Sequence, residues 1–250
     1  METIKLSAVD TRAPKKFNKE QIKKELQKQK FRLEELQNLL YAESKHSLLV
    51  VIQGMDASGK DGAVKNVFEA VNPQGCRVLS FKEPTALEMK HDFLWRIHQQ
   101  VPEKGIIGIF NRSYYEDVLI QRVHHWVSDK VIKQRYEHIN NFEKLLTESN
   151  TSVIKFYLHV SKEEQLKRLE ERLSDPAKMW KYNASDIKER EFWKDYMVAY
   201  EAVFENCSKH APWHIVPSDQ NWYKEFVIAK KVVETLEGFK MKFPGLKAEH

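Results

Sequence analysis

The chain has 250 residues, 42% of them hydrophobic and 31% charged, enough apolar length to bury a substantial core and too much for a disordered segment. Its formal net charge of +5, from 41 Lys+Arg against 36 Asp+Glu, tolerates a polyanionic partner without naming one. Two cysteines, Cys76 and Cys207, exclude a disulfide framework and a thiolate metal cluster. No run approaches the roughly 18 apolar residues of a membrane span, and Met1-Glu-Thr-Ile-Lys5 lacks the apolar core of a signal peptide. The expected location is the cytoplasm, with no membrane partner.

Residues 1–17 read as an irregular arm, with Pro14 and scattered charge. Asn18 with Gln21 resembles a capping-box start. From there Ile22, Leu26, Leu33, Leu36, Leu39 and Leu40 recur on one face, which predicts an amphipathic helix that packs inside the domain or against a second subunit. Leu48–Ile52 is short, β-branched and followed by Gly54, so it reads as a buried parallel strand. A helix is expected from Lys60 to about Val71, then a turn at Asn72-Pro73-Gln74-Gly75 and a second strand over Arg77–Phe81. Thr85 is placed to cap a helix running through Trp95 and Ile97. Ile106–Phe110 is the third strand, with a helix after Ser113. Val153–Leu158 is the fourth, followed by the capping pattern Ser161-Lys-Glu-Glu164. Trp213–Val216 is the fifth, with Asp219 placed to cap the final helix. Five strands alternating with helices predict an α/β fold with a mainly parallel sheet, carried by one domain over residues 18–240 and trailed by a tail at 241–250.

The strongest chemical signal is Gly54-Met-Asp-Ala-Ser-Gly59-Lys60, a Gly-x-x-x-x-Gly-Lys spacing between a predicted strand and a predicted helix. Such a P-loop turns backbone N–H groups onto phosphate oxygens, adds the partial positive charge of a helix N-terminus, and supplies a full charge from the lysine. The cradle comprises Gly54, Ala57, Ser58, Gly59, Lys60, Asp61 and Gly62. Asp61 departs from the usual pattern, standing where Ser or Thr would offer a hydroxyl to magnesium. Asp56, inside the loop, would repel phosphate unless a hard cation bridged them, so it is expected to be a magnesium ligand or a catalytic carboxylate.

In P-loop proteins a second apolar strand ends in an Asp that holds magnesium. Here that position is Asn111, followed by Arg112, whose planar fork suits phosphate oxygens in the crevice at the strand ends. Glu116 and Asp117 begin a helix, where acids are favoured by the dipole in any case. Arg168, Arg172, Lys178 and Lys181 flank the helix-breaking Pro176, with Trp180 among them, and read as a lid of about residues 172–185 over phosphates. His124-His125 has no metal spacing.

Gly54-Met-Asp-Ala-Ser-Gly-Lys-Asp-Gly62, Phe81-Lys-Glu-Pro-Thr85, His91-Asp-Phe-Leu-Trp-Arg96, Phe110-Asn-Arg-Ser-Tyr-Tyr-Glu-Asp117 and Pro176-Ala-Lys-Met-Trp-Lys-Tyr182 together resemble the family-2 polyphosphate kinases, over about residues 15–240. The Lys-Glu-Pro-Thr and Asn-Arg-Ser-Tyr-Tyr-Glu-Asp forms look most like the subgroup, class III, that phosphorylates nucleoside mono- and diphosphates. The resemblance implies a thymidylate-kinase-like P-loop kinase fold and reversible transfer from inorganic polyphosphate to AMP and ADP, and to guanine nucleotides, forming ADP and ATP. It implies Mg2+, with Mn2+ as a substitute, and a homodimer or homotetramer. By the same resemblance Asp56, Lys60 and Arg112 would be catalytic, and Arg168, Arg172, Lys178, Lys181 and Lys65 would attend the polyphosphate. Lys82, Glu83, Asn111, Arg112 and Asp117 would lie at the nucleotide. Many relatives carry Asp where this chain has Asn111, and Asp117 is the expected substitute as second metal ligand. Trp180 is expected to pack the lid.

Two other readings share parts of this pattern. An ATP-dependent nucleotide kinase would share the loop, fold and lid. A nucleic-acid-binding P-loop ATPase fits less well, because the net charge is modest and no stripe of basic and aromatic residues is present; nucleic acid is not an expected partner.

Overall fold

The computed structural model describes residues 4–245. Its centre is a five-stranded, wholly parallel sheet: β1 (Ser47–Gln53), β2 (Cys76–Ser80), β3 (Ile107–Asn111), β4 (Thr151–His159) and β5 (Trp213–Pro217), in the order β2-β3-β1-β4-β5. The predicted strands all appear, within one or two residues of their expected ends. Every residue of β1 is buried, because helices cover both faces. Its side chains alternate: Leu49 and Val51 enter one core, Leu48, Val50 and Ile52 the other.

The helices divide between those faces. On one lie α1 (Lys19–Glu43), α2 (Lys60–Val67) and α9 (Asn221–Gly238). On the other lie α4 (Glu116–Val123), α5 (Asp129–Glu148) and α8 (Trp193–Asn206), with the short α3 (Trp95–His98). Asn18 caps α1 by accepting from the N–H groups of Glu20 and Gln21. The apolar face of α1, with Leu26, Leu33, Leu36 and Leu40, is taken up within the chain, largely by α9. Pro176 ends α6 (Lys162–Ser174), which Ser161 caps as predicted; a 3₁₀ turn at Met179–Lys181 and α7 (Ala184–Glu189) follow.

Two capping expectations fail. Thr85 and Glu88 exchange N–H bonds as a capping box, but over a single 3₁₀ turn at Glu88–Lys90, and α3 begins separately after Asp92 accepts from the Leu94 N–H. Asp219 does not cap α9. Its carboxylate accepts from Thr11 Oγ1 and the Ser161 N–H, both at 2.8 Å, so it anchors the arm to the ends of β4 and β5. The described part of the arm is docked rather than loose: Leu6 is 2% exposed, and its carbonyl lies 3.1 Å from His159 Nε2. Of the tail, residues 241–245 carry no regular structure, and 246–250 lie outside the described residues.

Candidate active site

The C-terminal ends of all five strands open onto one cleft of about 1040 Å³. In open parallel sheets a ligand site forms there, where the chain leaves neighbouring strands in opposite directions. β1 runs into the P-loop and β3 into Asn111 and Arg112, and these two strands are neighbours. Eight lysines and arginines against five carboxylates line the cleft, so the modest charge excess of the chain is concentrated where an anion would enter.

The loop has the backbone conformation its sequence requires. Ala57 (φ 56°) and Gly59 (φ 94°) are left-handed, an arrangement in which successive amides converge on an anion. A Cβ on Gly54 would sit 2.7 Å from Ser58 Oγ and 2.9 Å from the Leu158 carbonyl, and one on Gly59 would collide with Lys224 Nζ. The loop's carbonyls are held from behind. Arg168 donates to Ala57 O (3.2 Å) and Ser58 O (3.1 Å), Ser218 Oγ to Ser58 O (2.6 Å), and Lys224 Nζ to Gly59 O (3.1 Å). Arg168 also donates to the carbonyls of Ser218 and Asp219 and pairs with Glu164 at 2.9 Å. It lines the cleft as expected, and its donors hold the loop.

Lys60 is 8% exposed and donates to Gly54 O (2.7 Å) and Met55 O (3.1 Å). Burial lowers its ammonium to about 8, and the nearby charge of Arg112 adds to that; Asp56, Glu116 and Asp61 oppose it. Arg112 reaches Asp56 Oδ1 at 2.5 Å, so a guanidinium and a carboxylate from the two strand ends meet at the cleft. Glu116 is partly buried near the same charges, and desolvation raises its pKa although Arg112 and Lys60 oppose the shift.

The two departures from the usual loop pattern touch each other. Asn111 Nδ2 donates to Asp61 Oδ1 at 2.8 Å, and Asp61 Oδ2 accepts from Lys181 Nζ at 2.8 Å. The carboxylate expected at the β3 end and the neutral group expected on the loop have in effect exchanged places. Lys181 thereby ties the lid segment to the P-loop helix. Asp117 is elsewhere: it does not line the cleft, pairs with Arg135 at 3.7 Å, and has its pKa raised by burial. The expectation that it substitutes for Asn111 as a metal ligand is therefore corrected. Asp117, in the first turn of α4, is turned toward Arg135 on α5.

Of the remaining expected residues, Lys82, Arg172 and Lys178 line the cleft; Glu83 and Lys65 do not. Arg172 is engaged by Asp186 (2.7 Å), and Lys178 lies near Asp175 and Glu171. Trp180, expected to pack the lid, is 76% exposed at the cleft edge, its Nε1 donating to Ala177 O. Sequence reading passed over Lys224 and Asp186. Lys224 is buried behind the P-loop, and burial lowers its ammonium to about 8. Arg96, the last residue of the His91–Arg96 motif, donates to the Lys82 carbonyl at 2.9 Å. Neither Lys224 nor Asp186 carries a spacing signal; only the fold brings α9 and α7 to the strand ends.

Gly62 offers a test of where ligand passes. It lies in α2 and lines the cleft, and a Cβ there would meet nothing within 4 Å. Gly62→Ala is expected to stabilise the fold by about 0.5–1 kcal/mol, since alanine restricts the unfolded chain more. It should also raise the KM for an anionic substrate that enters the cleft several-fold. Thermal denaturation and initial rates check the two effects.

A parallel sheet that delivers a P-loop, a facing arginine and a basic segment after α6 to one cleft defines a P-loop phosphotransferase. The chain belongs to the polyphosphate kinase 2 family, whose sequence profile matches residues 16–244. It is 51% identical over 214 residues to the AMP/ADP-polyphosphate phosphotransferase of Meiothermus ruber, covering 85% of this chain and 80% of that one. It is 45% identical over 240 residues to the ADP-polyphosphate phosphotransferase of Rhodopseudomonas palustris, covering 91% and 83% respectively. The crystal structure of polyphosphate kinase 2 from Arthrobacter aurescens superposes with a TM-score of 0.95 at 43% identity, over 99% of this chain and 90% of that one.

Proposed function

We propose that this protein transfers phosphoryl groups from inorganic polyphosphate to AMP and ADP. The observation that carries the reading is the meeting of Arg112 and Asp56 beside Lys60 at the mouth of a basic cleft, in a chain of this family. The acceptor is a nucleotide phosphate, already an anion, so the transfer needs alignment and charge neutralisation rather than a strong base.

The residues divide that work. Arriving phosphate oxygens replace the carbonyls of Gly54 and Met55 as partners of Lys60, which is already aimed at the loop. Arg112, half-exposed and paired with Asp56, swings its fork onto phosphate oxygens and stabilises charge as it develops on the transferred group. Lys178 and Lys181 hold the chain of phosphates at the lid side, and Lys82 faces the nucleotide. Among the described residues no three His, Cys, Asp or Glu side chains converge as a metal cage. That fits Mg2+, which commonly takes one or two carboxylates and completes its shell with water and substrate phosphates. Asp56 and Asp61 would hold it, and it would neutralise charge on the phosphates. Guanine nucleotides would be accepted alongside adenine ones. No described helix is long and apolar enough to cross a membrane.

Asp61→Asn is expected to raise the Mg2+ concentration needed for half-maximal rate about tenfold or more, since one of two carboxylates loses its charge. Asp117→Asn should leave that requirement where it is. A Mg2+ titration of initial rate for each variant decides the assignment.

The functional reading is tested by incubating the protein with AMP, long-chain polyphosphate and Mg2+ in the absence of ATP, and separating products by chromatography. ADP followed by ATP is expected, and with Lys60→Ala both should form about 10²–10³ times more slowly. ADP formed only when ATP replaces polyphosphate would make the protein an ATP-dependent nucleotide kinase instead.

A further inference from the structure

Behind the Arg112 turn lies a charged cluster that takes no part in the transfer and does not line the cleft. Glu143 on α5 and Lys155 on β4 have wholly buried side chains 2.7 Å apart. Lys155 Nζ also donates to Tyr115 Oη at 2.7 Å and to the Cys207 carbonyl at 2.6 Å. Glu143 Oε1 accepts from the hydroxyls of Tyr114 (2.8 Å) and Tyr115 (2.7 Å). Burial beside the Glu143 carboxylate holds both phenols well above their ordinary range, so both remain donors. A buried ion pair is a poor stabiliser in itself, because desolvation of the two charges rivals their attraction.

The cluster's position suggests another task. Tyr114 and Tyr115 are the two residues between Ser113 and Glu116. Arg112 is held at φ 65°, a left-handed conformation that a side-chain-bearing residue keeps only where its surroundings enforce it. On one side the Arg112 N–H donates to the Ile52 carbonyl at 3.1 Å. On the other, among the described residues, the hydrogen bonds of the two tyrosine hydroxyls run to Glu143 and Lys155.

We infer that the Glu143–Lys155 pair is a positioning device for phosphoryl transfer, fixing through the hydroxyls of Tyr114 and Tyr115 the turn that aims Arg112 at Asp56. It rests on the reading of Arg112 given above. Misplacement of such a group by about 1 Å is enough to slow a reaction roughly a hundredfold.

The test is the double variant Tyr114→Phe/Tyr115→Phe, which keeps both rings and the ion pair and severs only the tie. With polyphosphate and AMP, kcat is expected to fall about ten- to a hundredfold, while both KM values stay within about threefold of wild type. Amide hydrogen exchange over residues 112–116 should accelerate at least tenfold while the β1 and β4 amides keep their protection. In an Arg112→Lys background the same pair of substitutions should add little further loss. An unchanged kcat with slow exchange at residues 112–116 would overturn the inference. Should the double variant fail to fold, Tyr115→Phe alone is measured in the same way with the same criteria. If the wild type itself shows no turnover with polyphosphate, the functional reading fails, and the exchange data still decide whether the pair holds the turn.

Discussion

Arg112→Gly is expected to lower kcat about 10³-fold or more while leaving the protein no less stable, and up to about 1 kcal/mol more stable. The two effects have separate causes. The guanidinium is the group at the strand ends best placed to bridge phosphate oxygens, and loss of such a charge from the transition state typically costs 10³–10⁵ in rate, by analogy with arginines of other phosphoryl-transfer enzymes. The stability effect comes from the backbone: Arg112 sits at φ 65°, where glycine is relaxed and other residues are strained by about 1–2 kcal/mol. Its ion pair with Asp56 is partly exposed, 42% and 28% for the two side chains, so little stability is lost with it. Denaturant unfolding beside steady-state rates checks both. A destabilised Arg112→Gly protein would show that the turn is not strained, and an active one would remove Arg112 from the chemistry. Arg112→Lys keeps the charge but not the fork, and its rate should lie between the two.

The second large effect is at Lys60. Lys60→Ala is expected to reduce kcat/KM for polyphosphate by about 10²–10³, because the charge that meets the phosphates is lost from a buried site where it is little screened. Its pH dependence follows from the lowered pKa. The free protein binds anions with Lys60 charged, and burial brings that ammonium to about 8. kcat/KM, which reports the free enzyme, should therefore fall as pH rises through about 8, where an unperturbed lysine would hold to above 10. Bound phosphates favour the charged form, so kcat should fall only at higher pH. The sign for folding is opposite. A lysine whose folded pKa lies below its unfolded value penalises the fold while it is charged, and the ligand-free protein should regain that contribution between about 8 and 10.5. Lys224, also brought to about 8, could produce the same alkaline limb. Rate profiles of Lys224→Met separate them: a limb that persists belongs to Lys60.

The elements that repeat a short local code were legible in the chain. Leu48–Ile52 and Ile106–Phe110 announce buried strands because a parallel sheet covered on both faces needs apolar residues at every position. Gly54 to Lys60 announces the P-loop because its backbone turns require glycine at fixed offsets, and Asn18 and Ser161 announce helix starts because a side-chain oxygen must meet an unpaired N–H. Where a residue had several partners available, the local code failed. Asp219 had the form of a cap for α9 and became an anchor for the arm, since Thr11 and the Ser161 N–H reach it first. Asp117 and Glu116 are indistinguishable as adjacent acids, yet the helical turn sends Asp117 to Arg135 and leaves Glu116 near the charges of Arg112 and Lys60.

By itself, then, the sequence determined the parallel α/β frame, the phosphate loop and the identity of its lysine, and through five separated motifs the family. Each of these depends on residues near in the chain or on a pattern with a fixed period. Only the tertiary structure decided the contacts between strand ends: Asn111 against Asp61, Arg112 against Asp56, Lys224 and Arg168 behind the loop, and Glu143–Lys155 beneath the Arg112 turn. Those pairs join residues from 12 to 165 positions apart, and no local propensity encodes them. They arise because the strand order β2-β3-β1-β4-β5 sets the ends of β1 and β3 side by side, and because desolvated charges must find partners wherever the folded backbone leaves them.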